Sequence, residues 1–299
     1  MGYQNGQKTI FITGAASGLG REVGRYFASK GWFVGIADIN EKGMAETASL
    51  LPEGQSSIHR LDVTDRANWK AAAEAFSEVT GGTMNVLFNN AGIGEGGPIE
   101  EMTDEDIDLM IAINFTGCIS GTRACFEMLK NTPDSCVLYT ASAAGIYGVA
   151  DLSVYSATKF AVRGLAESHD LEFRKYDIKS RSLMPGFVDT NIISDVVEGT
   201  NQTGKEKLEE SGVLVSPVSI IGPEAWEAVH GNKVHRPVNK MAKQLAFAAR
   251  WMSRSVKPQS STDKVESSGM RWRCLKKQSH ASCAAAATKP AAAGGTGSV

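Results

Sequence analysis

The sequence carries almost no excess charge: 31 Lys and Arg stand against 33 Asp and Glu, a formal net charge of −2. No global basic field is available to draw in a polyanion, so no nucleic-acid partner is expected. Nor does an uninterrupted apolar run of bilayer length occur, so no membrane partner is expected either. The start, "MGYQNGQKTIFITG", lacks the charged-then-apolar layout of a secretory signal. A myristoylation motif would need Ser or Thr where Gly6 stands. Cysteines are few and odd in number: Cys118, Cys125, Cys136, Cys274 and Cys283, with no C-x-x-C pair. They read as packed thiols of a protein in a reducing, cytoplasmic compartment. His230 and His235 flank "GNKV" with no nearby third ligand, so no metal is expected.

What the chain does have is alternation. "KTIFITG" (8–14), "WFVGIAD" (32–38), "SIHRLDV" (57–63), "MNVLFNNAG" (84–92), "SCVLYTAS" (135–142) and "SRSLMPG" (180–186) are short apolar runs with the look of strands. Between them lie helical spacings at 19–31, 41–51, 65–79, 104–130 and 153–176. In 19–31, Leu19, Val23, Tyr26 and Phe27 share one face and Gly31 suits a C-terminal cap. Continuous apolar strands separated by helices imply a parallel sheet covered on both faces. Right-handed crossovers then make the fold class α/β, a doubly wound parallel sheet of the Rossmann kind. Ligands of such folds sit at the carboxyl ends of the strands, where Gly14, Asp38, Asp62, Asn90, Ser142 and Pro185 fall.

After about Val188 the pattern loosens. The polar, mixed stretch 191–212 reads as a small helical lid over the strand ends. "IIGPEAWEAVHG" and "VNKMAKQLAFAARWMSR" resume helical spacing, with "KVHRPV" (233–238) as a possible last strand. From Pro258 the chain is polar and then low-complexity, ending "AAAATKPAAAGGTGSV". The domain is therefore drawn as 1–257 and the tail 258–299 as disordered, having too little apolar mass to offset ordering entropy.

"TGAASGLG" (13–20) joins the first strand to the first helix. Gly14 permits a tight turn, Gly18 lets backbone approach a ligand, and Gly20 lets the helix pack close to the sheet. The helix N-terminus offers free N–H groups to a pyrophosphate. Asp38 ends the second strand, 24 residues past Gly14. A carboxylate there can accept hydrogen bonds from both ribose hydroxyls and would repel a 2′-phosphate. Neither Ser17 nor Ile39 offers an offsetting cation, which favours NAD, with NADP as the alternative. Asp62 is placed to reach an adenine edge, and "NNAG" (89–92) puts small residues where a flat ring must lie. In "YSATK" (155–159), Tyr155 and Lys159 are spaced i and i+4, which brings them to one face of a helix.

"TGAASGLG", "NNAG", Asn114 in "AIN", Ser142 in "ASAAG", "YSATK" and "PGFVDT" stand in the order and spacing of the short-chain dehydrogenase/reductase family, which the chain resembles over residues 8–190 and more loosely to about 255. The resemblance implies an oxidoreductase that moves a hydride between NAD(H) and a secondary alcohol or ketone. It implies a catalytic set of Asn114, Ser142, Tyr155 and Lys159. Tyr155 exchanges the hydroxyl proton, Ser142 holds the substrate oxygen, and Asn114 holds a water that links Lys159 to solvent. An ammonium ~4 Å from a phenol favours phenolate by roughly 4 kcal/mol at an effective dielectric of 20, which fits Tyr155 for acid/base work. The implied cofactor contacts are Gly14, Ser17, Gly18, Leu19, Gly20, Asp38, Asp62, Val63, Asn90, Ala91, Gly92, Tyr155, Lys159, Pro185, Gly186, Val188 and Thr190. Val188 would meet the carboxamide through its backbone and Thr190 through its hydroxyl.

The apolar character of Ala144, Ile146, Tyr147, Ala150 and Leu152 suggests a hydrophobic alcohol or carbonyl substrate. The glycine-rich ending with which family members build a tetramer is absent, so a homodimer through the 104–130 and 153–176 helices is expected instead. The alternatives are an NADPH-dependent carbonyl reductase and a non-catalytic dinucleotide-binding protein.

Overall fold

The computed structural model describes residues 2–190, 203–210 and 214–251. The tail expected to be disordered, residues 191–202 and 211–212 of the expected lid, and Cys274 and Cys283 lie outside the described residues.

Seven strands form one sheet: β1 (Thr9–Thr13), β2 (Phe33–Asp38), β3 (Ser56–Arg60), β4 (Val86–Asn89), β5 (Cys136–Thr140), β6 (Lys179–Pro185) and β7 (His235–Val238). Their order is 3-2-1-4-5-6-7 and all six pairings are parallel. "KVHRPV" does supply the seventh strand, at the sheet edge beside β6. The helices are α1 (Gly18–Ser29), α2 (Glu41–Ser49), α3 (Arg66–Thr80), α4 (Asp104–Ile111), α5 (Gly117–Lys130), α6 (Ser153–Glu172), α7 (Gly204–Glu210), α8 (Ile221–His230) and α9 (Asn239–Trp251).

Alternation along β1 divides the core. Phe11 packs with Trp69, Phe76, Cys125, Tyr139 and Val162 on one side of the sheet. Ile10 and Ile12 pack with Val23, Phe27, Val34, Ile36 and Ile221 on the other. Local signals set the helix starts. The Asn40 side chain accepts from the Gly43 N–H at 3.0 Å, and Asp65 from the Ala67 N–H at 2.7 Å. Cys118, Cys125 and Cys136 are buried free thiols, as expected for packed cysteines.

The continuous helix expected over 104–130 is interrupted. Residues Ala112–Thr116 form a π turn between α4 and α5. Taken as one 27-residue element, Asp104–Lys130 is long and apolar enough to cross a bilayer by length and composition alone. It is instead a core helix of this fold, with Cys118, Cys125, Met128 and Leu129 built into the cluster under the sheet.

The order reverses between β1 and β4, and the crevice at their carboxyl ends is where a doubly wound sheet receives a ligand.

Candidate active site

Strand β1 ends at Thr13, and the chain turns through Gly14 with φ +67°. A Cβ at Gly14 would lie 2.9 Å from the Ala91 Cα, and one at Gly20 would lie 2.3 Å from the Gly14 carbonyl oxygen. Only glycine fits either place, so the loop can turn tightly onto "NNAG". The first intrahelical bond of α1 runs from the Arg21 N–H to the Ser17 carbonyl at 3.1 Å. The N–H groups of the residues before Arg21 therefore open toward the crevice without an i−4 partner in the helix. The Ser17 side chain makes no cap bond to them, and the first turn holds no acidic residue. Leu19 is partly buried and packs at the margin of the core.

Asp38 sits where expected, at the end of β2, and both its oxygens already hold backbone. Oδ2 accepts from the Ala16 N–H at 3.0 Å and Oδ1 from the Asn40 N–H at 3.0 Å. Ile39 beside it is exposed. Asp62 lies past the end of β3, and its Oδ1 accepts from the Thr64 N–H at 2.9 Å and hydroxyl at 2.7 Å. The Val63 side chain is buried, and its carbonyl takes the Trp69 indole N–H at 3.1 Å.

The Asn90 side chain is committed to holding strand ends together. Its amide donates to the Thr13 carbonyl at 2.9 Å, and its oxygen accepts the Thr140 hydroxyl at 2.9 Å. The Thr13 hydroxyl accepts the N–H groups of Asn90 and Ala91, both at 3.0 Å. What "NNAG" presents to a ligand is thus main chain and the small faces of Ala91 and Gly92.

Tyr155 and Lys159 lie one turn apart on α6, and the Lys159 Nζ sits 5.5 Å from the centre of the Tyr155 ring. Lys159 is 3% exposed, and its ammonium donates to the Thr140 carbonyl at 3.0 Å. Asn114 and Gly92 complete the neighbourhood: a Cβ at Gly92 would lie 3.2 Å from Asn114 Oδ1 and 3.4 Å from Lys159 Nζ. Ser142 begins the turn Ala143–Gly145, and its Oγ accepts from the Ala144 N–H at 3.1 Å. That bond occupies a lone pair and leaves the hydroxyl proton free to be donated elsewhere. The turn packs directly on α6, where a Cβ at Gly145 would lie 2.7 Å from the Lys159 carbonyl oxygen.

Three further details escaped the reading of the sequence. The Asn114 side chain clamps the main chain of Ile93, accepting from its N–H and donating to its carbonyl, both at 2.9 Å. Its amide also reaches the Thr158 hydroxyl at 3.3 Å, and that hydroxyl donates to the Tyr155 carbonyl at 2.7 Å. Thr158 therefore belongs to the assembly. Asn239 at the start of α9 reaches the Ser216 hydroxyl at 3.2 Å and caps its own helix through the Ala242 N–H at 3.0 Å. An asparagine directly before an amphipathic stretch is a cap signal that would have found it.

Pro185 ends β6, and Gly186 follows against Asn239 and Met241. Val188 pairs with Ser216 in an isolated parallel bridge. The bridge uses the Phe187 carbonyl (3.0 Å) and the Asp189 N–H (2.9 Å), so Val188's own N–H and C=O point to the opposite edge. Thr190 comes back to the glycine loop, with its Cγ2 3.6 Å from a Cβ built at Gly18. Leu152, Phe187, Leu208 and Val215 form a small apolar cluster above this loop. Of the residues expected along the substrate wall, Ala144 and Ile146 are buried, Ile146 within the main core, and Tyr147 is exposed.

The family model for short chain dehydrogenases matches residues 8–201. The chain belongs to the short-chain dehydrogenase family. This short-chain dehydrogenase is 32% identical over 230 residues to L-2,3-butanediol dehydrogenase of Corynebacterium glutamicum, a match that covers 75% of this chain and 89% of the relative. It is 33% identical over 212 residues to the 3-alpha-(or 20-beta)-hydroxysteroid dehydrogenase of Mycobacterium tuberculosis, covering 70% of this chain and 81% of the relative. Among solved structures it resembles a short-chain dehydrogenase/reductase from Burkholderia phymatum in complex with NAD, with a TM-score of 0.73, 26% identity, and coverage of 86% of this chain and 99% of that one. Its family is one of oxidoreductases acting on CH–OH groups.

Proposed function

We propose that this short-chain dehydrogenase interconverts an apolar secondary alcohol and its ketone with NAD(H). The observation that carries the reading is the buried Lys159 ammonium over the Tyr155 ring, beside Gly92 of "NNAG". The crevice fits a dinucleotide. The tight loop that admits only glycine at Gly14 and Gly20, and the open N–H groups of α1, form a cradle for a pyrophosphate. Asp38 would hold the ribose hydroxyls, Asp62 and Val63 the adenine, Asn90, Ala91 and Gly92 the inner ribose, and Pro185, Gly186, Val188 and Thr190 the nicotinamide side. The bound nucleotide would accept a hydride from the alcohol carbon or return one to the ketone.

The protein's own groups handle the proton. Tyr155 as phenolate takes the proton from the substrate hydroxyl, or as phenol returns it to the forming alkoxide. Ser142 donates its free hydroxyl proton to the same oxygen and fixes it beside Tyr155. Lys159, with a carbonyl rather than a carboxylate as its hydrogen-bond acceptor, keeps its field directed at the phenol. Asn114 and Thr158 hold α6, the π turn and the "NNAG" loop in register. The neighbouring apolar cluster of Leu152, Phe187, Leu208 and Val215 supports a hydrophobic substrate. Exposed Ile111, Phe160 and Leu171 on α4 and α6 support a homodimer.

The test is turnover of a panel of acyclic and cyclic secondary alcohols with NAD and with NADP, followed by absorbance of the reduced nicotinamide. Oxidation with NAD in preference to NADP is expected. A preference for NADP would overturn the cofactor reading, and binding of NADH without turnover of any alcohol or ketone would favour the non-catalytic alternative.

A further inference from the structure

Resting on the dinucleotide reading above, we infer that Arg21 and Thr47 are positioning residues that set the shape of the pyrophosphate cradle without touching the cofactor. Every main-chain polar group of the loop residues Ala15 and Ala16 is engaged. The Ala15 N–H donates to the Ala37 carbonyl at 3.2 Å, and the Ala16 N–H to Asp38 at 3.0 Å. The Ala15 carbonyl accepts the Thr47 hydroxyl at 2.8 Å, and the Ala16 carbonyl accepts from the Arg21 guanidinium. Two of the four partners come from strand β2 and its end. The other two come from side chains on α1 and α2, and these are joined: Arg21 Nε donates to the Thr47 hydroxyl at 2.9 Å.

This arrangement has a direction. The Thr47 hydroxyl has one proton and receives a hydrogen bond from a cation, which strengthens it as a donor toward Ala15. Its alternative acceptor, the Gly43 carbonyl at 3.0 Å, lies within its own helix. Thr47 is 0% exposed, so its hydroxyl has no access to bulk water to replace these partners. The Nη2 that meets the Ala16 carbonyl also reaches the Gly43 carbonyl at 3.3 Å and Glu46 at 3.1 Å. With Nε and Nη2 turned to α2 and the Ala16 carbonyl in this way, Arg21 acts through the loop rather than as a phosphate ligand. Pinning Ala15 and Ala16 fixes where the N–H groups that follow them point. An anion then meets donors already in place, and binding does not have to order the loop.

The test uses the full chain and titrates NADH and ADP-ribose into wild type, Arg21→Met, Arg21→Lys, Thr47→Val and Thr47→Ser, with thermal melting alongside. Arg21→Met and Thr47→Val should each raise both Kd values about 10-fold or more. Thr47→Ser, which keeps the hydroxyl, should stay near wild type, and Arg21→Lys should recover part of the loss. KM for NAD should rise while kcat at saturating NAD holds within about 2-fold, because no reacting atom is touched. The double variant Arg21→Met/Thr47→Val should bind little worse than either single, because the two serve one bond network. Unchanged Kd values in folded Arg21→Met and Thr47→Val, or a Thr47→Ser as weak as Thr47→Val, would overturn the inference. If Arg21→Met or Thr47→Val fails to fold, the Lys and Ser variants decide it by the same criteria. A wild type that binds no dinucleotide would instead overturn the functional reading itself.

Discussion

Replacing Asp38 would separate two jobs, the backbone bonds it makes to Ala16 and Asn40 and the cofactor choice proposed for it. A 2′-phosphate oxygen ~5 Å away would be repelled by about 3 kcal/mol per unit charge at an effective dielectric of 20. Asp38 is only half-buried, so screening reduces this to a discrimination of about 10- to 100-fold against NADP. The same side chain holds the N–H of Ala16, which is 3% exposed, and of Asn40, which is exposed. Losing a charged acceptor for a buried N–H costs about 1.5–3 kcal/mol; Asn40 can turn to water. Asp38→Asn removes the charge and keeps an oxygen for Ala16. It should shift the NADPH/NADH Kd ratio 10- to 100-fold toward NADPH, with NADH weakened less than about 10-fold. Asp38→Ala removes both functions and should weaken NADH and NADPH together, so the simple alanine exchange will not make an NADP enzyme. Fluorescence titration of the two reduced cofactors measures both ratios. An absolute gain in NADPH affinity in Asp38→Ala would show that the Ala16 bond carries nothing. An unmoved ratio in Asp38→Asn would show that the carboxylate does not exclude the phosphate.

Other consequences follow from single sites. With Nζ 5.5 Å from the Tyr155 ring centre, Lys159→Met removes the cation that faces the proposed proton carrier and should lower kcat/KM by ~100-fold at neutral pH; a loss under about 5-fold in folded protein would contradict it. His59 is held by burial near a pKa of about 4, against 6.5 for a free imidazole, so the unfolded chain binds more protons than the native one between those values. Its contribution to stability is complete above pH ~6.5 and is lost as pH falls toward ~4. Urea unfolding at pH ~7.5 and ~5 should therefore show about 2 kcal/mol less dependence in His59→Phe than in wild type, and equal dependence would remove His59 as the cause. Burial pushes the Cys118 thiol up to about 11, against a smaller opposing pull from Lys159, and burial pushes Cys125 to about 12. Peptide mapping after brief alkylation of the native protein at neutral pH should find both unmodified, whereas labelling at the unfolded rate would show that the helix bearing them opens.

The sheet was legible because its signals are local and repeated. Apolar runs such as "KTIFITG" and "WFVGIAD" each end at a residue with a stated purpose, and the strands form within a few residues of those runs. Tyr155 and Lys159 were legible for the same reason, since helical spacing alone puts them on one face. The π turn at Ala112–Thr116 was not, because nothing in "AINFT" distinguishes an i+5 turn from an ordinary one before Asn114 meets Ile93 across 21 residues. Thr158 looked like a spacer inside "YSATK" until the π turn brought Asn114 against it. Asn90 reads as a ligand in "NNAG", yet its amide is needed to join β1 to β5, a pairing that only the closed sheet creates. Ala144, Ile146 and Tyr147 were grouped on the substrate wall for being apolar or aromatic, and the turn after Ser142 buries the first two and leaves Tyr147 exposed. Composition cannot tell those two destinations of an apolar residue apart.

The most direct measurement is turnover and NADH binding of Tyr155→Phe beside wild type, using whichever secondary alcohol the wild type oxidises fastest. Removing the hydroxyl of the proposed proton carrier should lower kcat at saturating NAD by ~10²–10⁴ and raise the NADH Kd by less than about 10-fold, the loss of one hydroxyl contact. A Tyr155→Phe enzyme that keeps near-wild-type kcat would contradict the account, since the proton would then have another carrier and the buried Lys159 another purpose.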